Sequence, residues 1–123
     1  MKKTSVNVYG IRNCDTVKKA RQWLDNHGQP YAFHDFKTAG VPADLLDHWL
    51  KQLEWDELLN RKGTTWRRLD DTIRAGVIDA ASARRVMLDH PSVIKRPVVA
   101  WGDPLSKNIS VGFKSELWDS RLA

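Results

Sequence analysis

Residues 5–9 form a short β-prone run, and residues 16–27 place Val17, Ala20 and Leu24 on one helical face before Gly28 stops the helix. A second β-prone run, Pro30-Tyr31-Ala32-Phe33-His34-Asp35-Phe36, follows at once, with Tyr31, Phe33 and Asp35 on one face. Strand, helix and strand in this order make a βαβ unit. Its crossover predicts that the two strands lie parallel, which commits the chain to a sheet with a helix packed against it.

The middle of the chain reads as helical. Pro42 suits a first helical turn, Leu45, Leu46, Trp49, Leu50 and Leu53 recur at helical spacing, and the pattern resumes in Trp55, Leu58 and Leu59 until Gly63. Trp66, Leu69, Ile73, Val77 and Ile78 continue it, Asp79 is a cap for residues 80–90, and Pro91 closes the segment. Residues 93–101 turn β-prone again, Gly102-Asp103 signals a turn, Ile109-Ser110-Val111 returns as an antiparallel strand, and 115–121 form a short helix. The expected architecture is α/β: a βαβ half and a ββα half share one mixed sheet, with an all-helical insertion over about 42–91. At 123 residues, 41% of them hydrophobic and six of them tryptophan, residues 1–123 suit a single domain with one core.

Charge and residue usage exclude several functions. The net charge is +5, but the basic residues stand in scattered pairs between acids. That pattern fits a solvated surface and small anionic substrates, not nucleic acid. The tryptophans are dispersed and offer no stacking platform. No apolar run approaches the ~20 residues of a membrane span, and the lysines near the start lead into no signal-like apolar region, so no membrane association or export is expected. His27, His34, His48 and His90 show no i,i+4 pair and no thiol company, so no metal is expected. A single cysteine forms no internal disulfide, which points to a reducing compartment, the cytoplasm.

That cysteine, Cys14, falls where the first strand gives way to the first helix. By residue type alone it is a small buried hydrophobe. By position it is a nucleophile, because the unpaired N–H groups at a helix N-terminus favour thiolate over thiol. Arg12 and Lys18 lie close in sequence, and Asn13 and Thr16 offer polar atoms for the turn. Any redox cycle must borrow a second thiol from another molecule, and glutathione is the expected co-substrate, with no bound cofactor.

Three strings, Arg12-Asn13-Cys14-Asp15-Thr16-Val17-Lys18-Lys19-Ala20, Leu59-Asn60-Arg61-Lys62-Gly63 and His90-Pro91-Ser92-Val93-Ile94-Lys95-Arg96-Pro97-Val98-Val99, resemble the arsenate reductase (ArsC) family. The resemblance is closest to its YffB-like branch, with the Spx regulators as cousins, and it spans nearly the whole chain. It implies a thioredoxin-like fold, Cys14 as nucleophile, Arg61 and Arg96 as partners in catalysis, and a cis Arg96-Pro97 bond facing the cysteine. Arg12, Asn13, Pro97 and Lys114 would bind substrate. Arginine suits a planar oxyanion or carboxylate better than lysine does. The family's arsenate reductases carry a histidine four residues before the cysteine, where this chain has Gly10, and a third arginine in the final hairpin, where it reads Val111-Gly112-Phe113-Lys114-Ser115. General glutathione-dependent thiol reduction therefore ranks above arsenate reduction. A non-catalytic, protein-binding regulator of the Spx kind ranks below both, because that branch acts through a Cys-x-x-Cys pair and Val17 stands at the second position.

Overall fold

The computed structural model describes residues 5–121. Four strands among them form one mixed sheet in the order β2-β1-β3-β4: β1 is Val6–Gly10, β2 Tyr31–Asp35, β3 Val98–Ala100 and β4 Ile109–Val111. β1 pairs parallel with β2, from Val6 opposite Tyr31 to Gly10 opposite Asp35. Its other edge pairs antiparallel with β3, Val8 opposite Val99, and β3 pairs antiparallel with β4. The fold is α/β and thioredoxin-like, built from the βαβ and ββα halves that the sequence predicts.

The described chain divides into two compact units, one of them Phe36–Lys95 and the other comprising the sheet with its two helices. In the sheet unit, helix α1 (Asp15–Asn26) buries Val17, Ala20, Trp23 and Leu24. This stripe is wider than the predicted three residues by Trp23. Gly28, at φ 62°, takes the left-handed conformation that ends the helix without a Cβ penalty. Ala20, Trp23 and Leu24 pack with Val6, Val8 and Val99 of the sheet and with Trp118. On the opposite face, Asn7 Nδ2 donates to the Gly102 carbonyl at 2.9 Å, and Asn7 Oδ1 lies 3.0 Å from His34 Nε2. His34 stacks on Tyr9, with ring centroids 4.5 Å apart. Burial pushes the Tyr9 phenol up to about 12.

The helical unit contains α2 (Phe36–Ala39), α3 (Ala43–Gln52), α4 (Trp55–Leu58), α5 (Thr64–Arg68), α6 (Asp71–Ala75) and α7 (Ala80–Asp89), followed by a 3-10 turn at Pro91–Val93. Helical structure thus begins at Phe36, six residues before Pro42, and Phe36 leaves the predicted second strand. The expected continuous helix past Trp66 is broken at Leu69-Asp70, where Asp70 occupies an N-cap position. Gly63 does not end a helix but precedes α5 as its N-cap. Asp79 caps α7 as predicted, in a reciprocal capping box with Ser82.

The closing helix α8 (Ser115–Arg121) is anchored through one side chain. Trp118 is buried and meets Trp23, Trp101 and Phe113 edge-on at 5.5, 4.9 and 4.7 Å, while its neighbour Leu117 is 58% exposed. Edge-to-face geometry adds to the large apolar area a tryptophan buries. Trp118→Ala is therefore expected to cost about 3–5 kcal/mol in urea unfolding, and Leu117→Ala less than about 0.5 kcal/mol. Equal losses at the two positions would contradict anchoring through Trp118.

Candidate functional site

β1 delivers the chain to the thiol. It ends at Gly10, Ile11 is buried, and Cys14 takes the N-cap position of α1 with extended backbone, φ −141° and ψ 125°. Its carbonyl accepts from the Lys18 N–H at 2.9 Å, which begins the helical ladder. The thiol closes no regular capping hydrogen bond, yet the first turn and one arginine act on it. Burial pushes its pKa up. The Val17 N–H, the Arg96 side chain by hydrogen bond and by charge, and the Thr16 N–H pull it down, and the outcome lies below the ordinary thiol value.

Arg96 reaches this position through strand register. Tyr9 pairs with Val98 across the antiparallel β1–β3 ladder, so continuing two residues brings Arg96 alongside the end of β1. A Cβ built on Gly10 would lie 3.9 Å from the Arg96 Cβ. The Arg96-Pro97 bond is cis, as the resemblance implies. Pro97 is buried, and its carbonyl accepts from the Gly112 N–H at 2.9 Å. Gly112, at φ 83°, adopts a backbone that a side chain would strain.

The other candidates stand elsewhere. Arg12 is exposed, its guanidinium 5.9 Å from the Phe33 ring centroid, and it is not among the groups acting on the thiol. Asn13 is exposed and accepts from Lys18 Nζ at 3.5 Å, so the two flanking polar residues engage each other. Lys114 is exposed, and its carbonyl accepts from Leu117 and Trp118 at the start of α8.

Arg61 belongs to the helical unit. There Leu59 and Ile94 form an isolated antiparallel bridge, flanked by Asn60 N–H to Val93 C=O and Lys95 N–H to Leu58 C=O, both 2.8 Å. Arg61 follows in an exposed turn with its guanidinium 5.4 Å from the Trp55 ring centroid, a cation–π distance. A Cβ on Gly63 would fall 2.8 Å from Asn60 Nδ2, so the Asn60 side chain lies over the glycine.

The groups that favour the thiolate are thus the Val17 amide first, then Arg96, then the Thr16 amide, not the cations next to the cysteine in sequence. Val17 escapes residue-type reasoning because its contribution is an amide; the helix start itself is the signal that points to it. Among the described residues, no group of three or more His, Cys, Asp or Glu side chains could hold a metal ion, and no helix is long and apolar enough to cross a membrane.

Comparison with known proteins agrees with this architecture. The ArsC family model matches residues 9–120. The chain is similar to a solved structure named YFFB protein, at 43% identity and a TM-score of 0.87, covering 96% of this chain and 99% of that one. It is also similar to an arsenate reductase (ArsC) related protein from Brucella melitensis, 48% identical, with a TM-score of 0.75 and 98% and 96% of the two chains covered. A more distant relative is the global transcriptional regulator Spx of Streptococcus pneumoniae, 22% identical over 85% of this chain and 75% of its own. The chain belongs to the ArsC family.

Proposed function

We propose that this chain is a thiol-based reductase that works with a single cysteine and uses glutathione as the resolving thiol. The observation that carries the reading is the convergence of the α1 N-terminal amides and the Arg96 side chain on Cys14. The Cys14 thiolate attacks the glutathione sulfur of a glutathione mixed disulfide, the S–S bond breaks, a Cys14–glutathione disulfide forms and the other partner leaves as thiolate. A second glutathione thiolate attacks the glutathione sulfur of that adduct, which releases oxidised glutathione and restores the Cys14 thiolate. Arg96 holds negative charge on sulfur as it enters and leaves. By the family resemblance, Arg61 binds an anionic group of the substrate, and Arg12, Asn13, Pro97 and Lys114 line its path. Cytoplasmic residence accords with a free thiol that must stay reduced.

Arsenate reduction is the narrower form of the same chemistry, supported by the arsenate reductase naming of the Brucella relative. The Spx relatives favour a protein-docking regulator. The position of that branch's second thiol is here Val17, whose side chain is fully buried.

Thiolate reactivity tests the core of the proposal. Iodoacetamide alkylation of Cys14 is expected to show a lower pH midpoint in the native protein than in urea. Arg96→Ala moves the native midpoint upward, because removing the cation disfavours the anion, and lowers the rate at pH 7 by about 10- to 100-fold. A native midpoint equal to the unfolded one would remove the basis for catalysis by Cys14.

Turnover tests the substrate class. Wild type is expected to reduce a glutathione mixed disulfide in a glutathione-coupled assay, Cys14→Ser to fall to background, and Arg61→Ala to raise KM about tenfold with kcat largely kept. Arsenate-dependent glutathione oxidation without mixed-disulfide turnover would transfer the assignment to arsenate. A stoichiometric protein partner recovered with Cys14→Ser, with neither activity detected, would transfer it to the regulator.

A further inference from the structure

Gly10 carries no group that could react, yet it stands against both parts of the thiol's surroundings. A Cβ built on it would lie 2.9 Å from Val17 Cγ2 and 3.9 Å from the Arg96 Cβ. The second distance is an ordinary contact. The first is far inside the 3.5–4.0 Å at which carbon atoms pack. Val17 has no flexible end to swing away: its β-branched side chain is stiff at χ1 and fully buried, on the helical face that also buries Ala20 and Leu24. With Val17 in place, a Cβ at position 10 therefore forces β1 and the first turn of α1 apart at this contact.

We propose that Gly10 is a positioning residue for the thiol chemistry: by lacking a Cβ, it lets Val17 seat against the end of β1, which holds the Val17 amide on the Cys14 sulfur beside Arg96. This inference rests on the reductase reading and deepens it, since it names what sets the helix start at the right depth. A packing role alone predicts lost stability. A positioning role predicts altered thiolate reactivity that disappears when the clash is removed.

The experiment is a cycle of four full-length proteins: wild type, Gly10→Ala, Val17→Ala and the double variant. Each is followed by the pH profile of Cys14 alkylation and by urea unfolding. Gly10→Ala is expected to raise the alkylation midpoint and slow alkylation at pH 7 about three- to tenfold, the loss of one hydrogen bond to a charged group. In the Val17→Ala background, which lacks the clashing methyl, Gly10→Ala is expected to leave the midpoint where Val17→Ala alone has it. No shift in the wild-type background, or an equal shift in both backgrounds, overturns the proposal. If Gly10→Ala alone does not fold, Val17→Ala against wild type decides: a raised midpoint, from loss of the side chain that seats against the end of β1, supports positioning, and an unchanged one overturns it. A wild-type midpoint no lower than in urea sinks the reductase reading itself; a depressed one that Gly10→Ala leaves unmoved sinks only the role of Gly10.

Discussion

Hydrogen bonding along both edges of β1 is the interaction on which the sheet unit depends. One edge carries the parallel ladder to β2 and the other the antiparallel ladder to β3, so β1 is fixed from both sides. Whatever leaves its C-terminal end inherits that fixity. The chain passes from Gly10 through buried Ile11 to Cys14 within four residues, too few to wander. The antiparallel register returns the start of β3 to the same end, and Arg96 with it. The cysteine and its arginine, 82 residues apart in sequence, are thus neighbours because one strand pairs twice.

The thiol's environment is a balance in which no single group decides. Partial burial opposes ionisation, and two amides together with one guanidinium overcome it. The half-exposed position leaves the sulfur accessible while keeping those donors from full solvation. A second cysteine is not needed to obtain a reactive thiolate, only to resolve its adducts within the chain.

What the sequence made legible follows the range of the interactions involved. Val17, Ala20 and Leu24 could be found from spacing because one helix buries one face. Ile78 fits the same spacing but is 74% exposed: Asp79 caps α7, so Ile78 stands before the helix, its N–H donating to Ser82 Oγ. β3 is shorter than the β-prone run suggests because Pro91 opens a 3-10 turn and Ile94 bridges to Leu59 instead of entering the sheet. At the site, Arg12 and Lys18 lie close to Cys14 along the chain, yet the direction of each side chain takes one to Phe33 and the other to Asn13. Arg96 acts through tertiary pairing that no local pattern encodes. Only the likeness of its Arg-Pro string to a family motif pointed to it.

The asparagine of β1 reaches further than its size suggests. Because its amide nitrogen is committed to the Gly102 carbonyl, its oxygen faces His34 Nε2 and can only accept. That assigns the proton of the imidazole to Nε2 and leaves Nδ1 as the lone-pair nitrogen. Burial lowers the His34 pKa and favours this neutral form. A backbone carbonyl in the turn between β3 and β4 thus selects the tautomer of a ring on β2, with the strand between them as the wire.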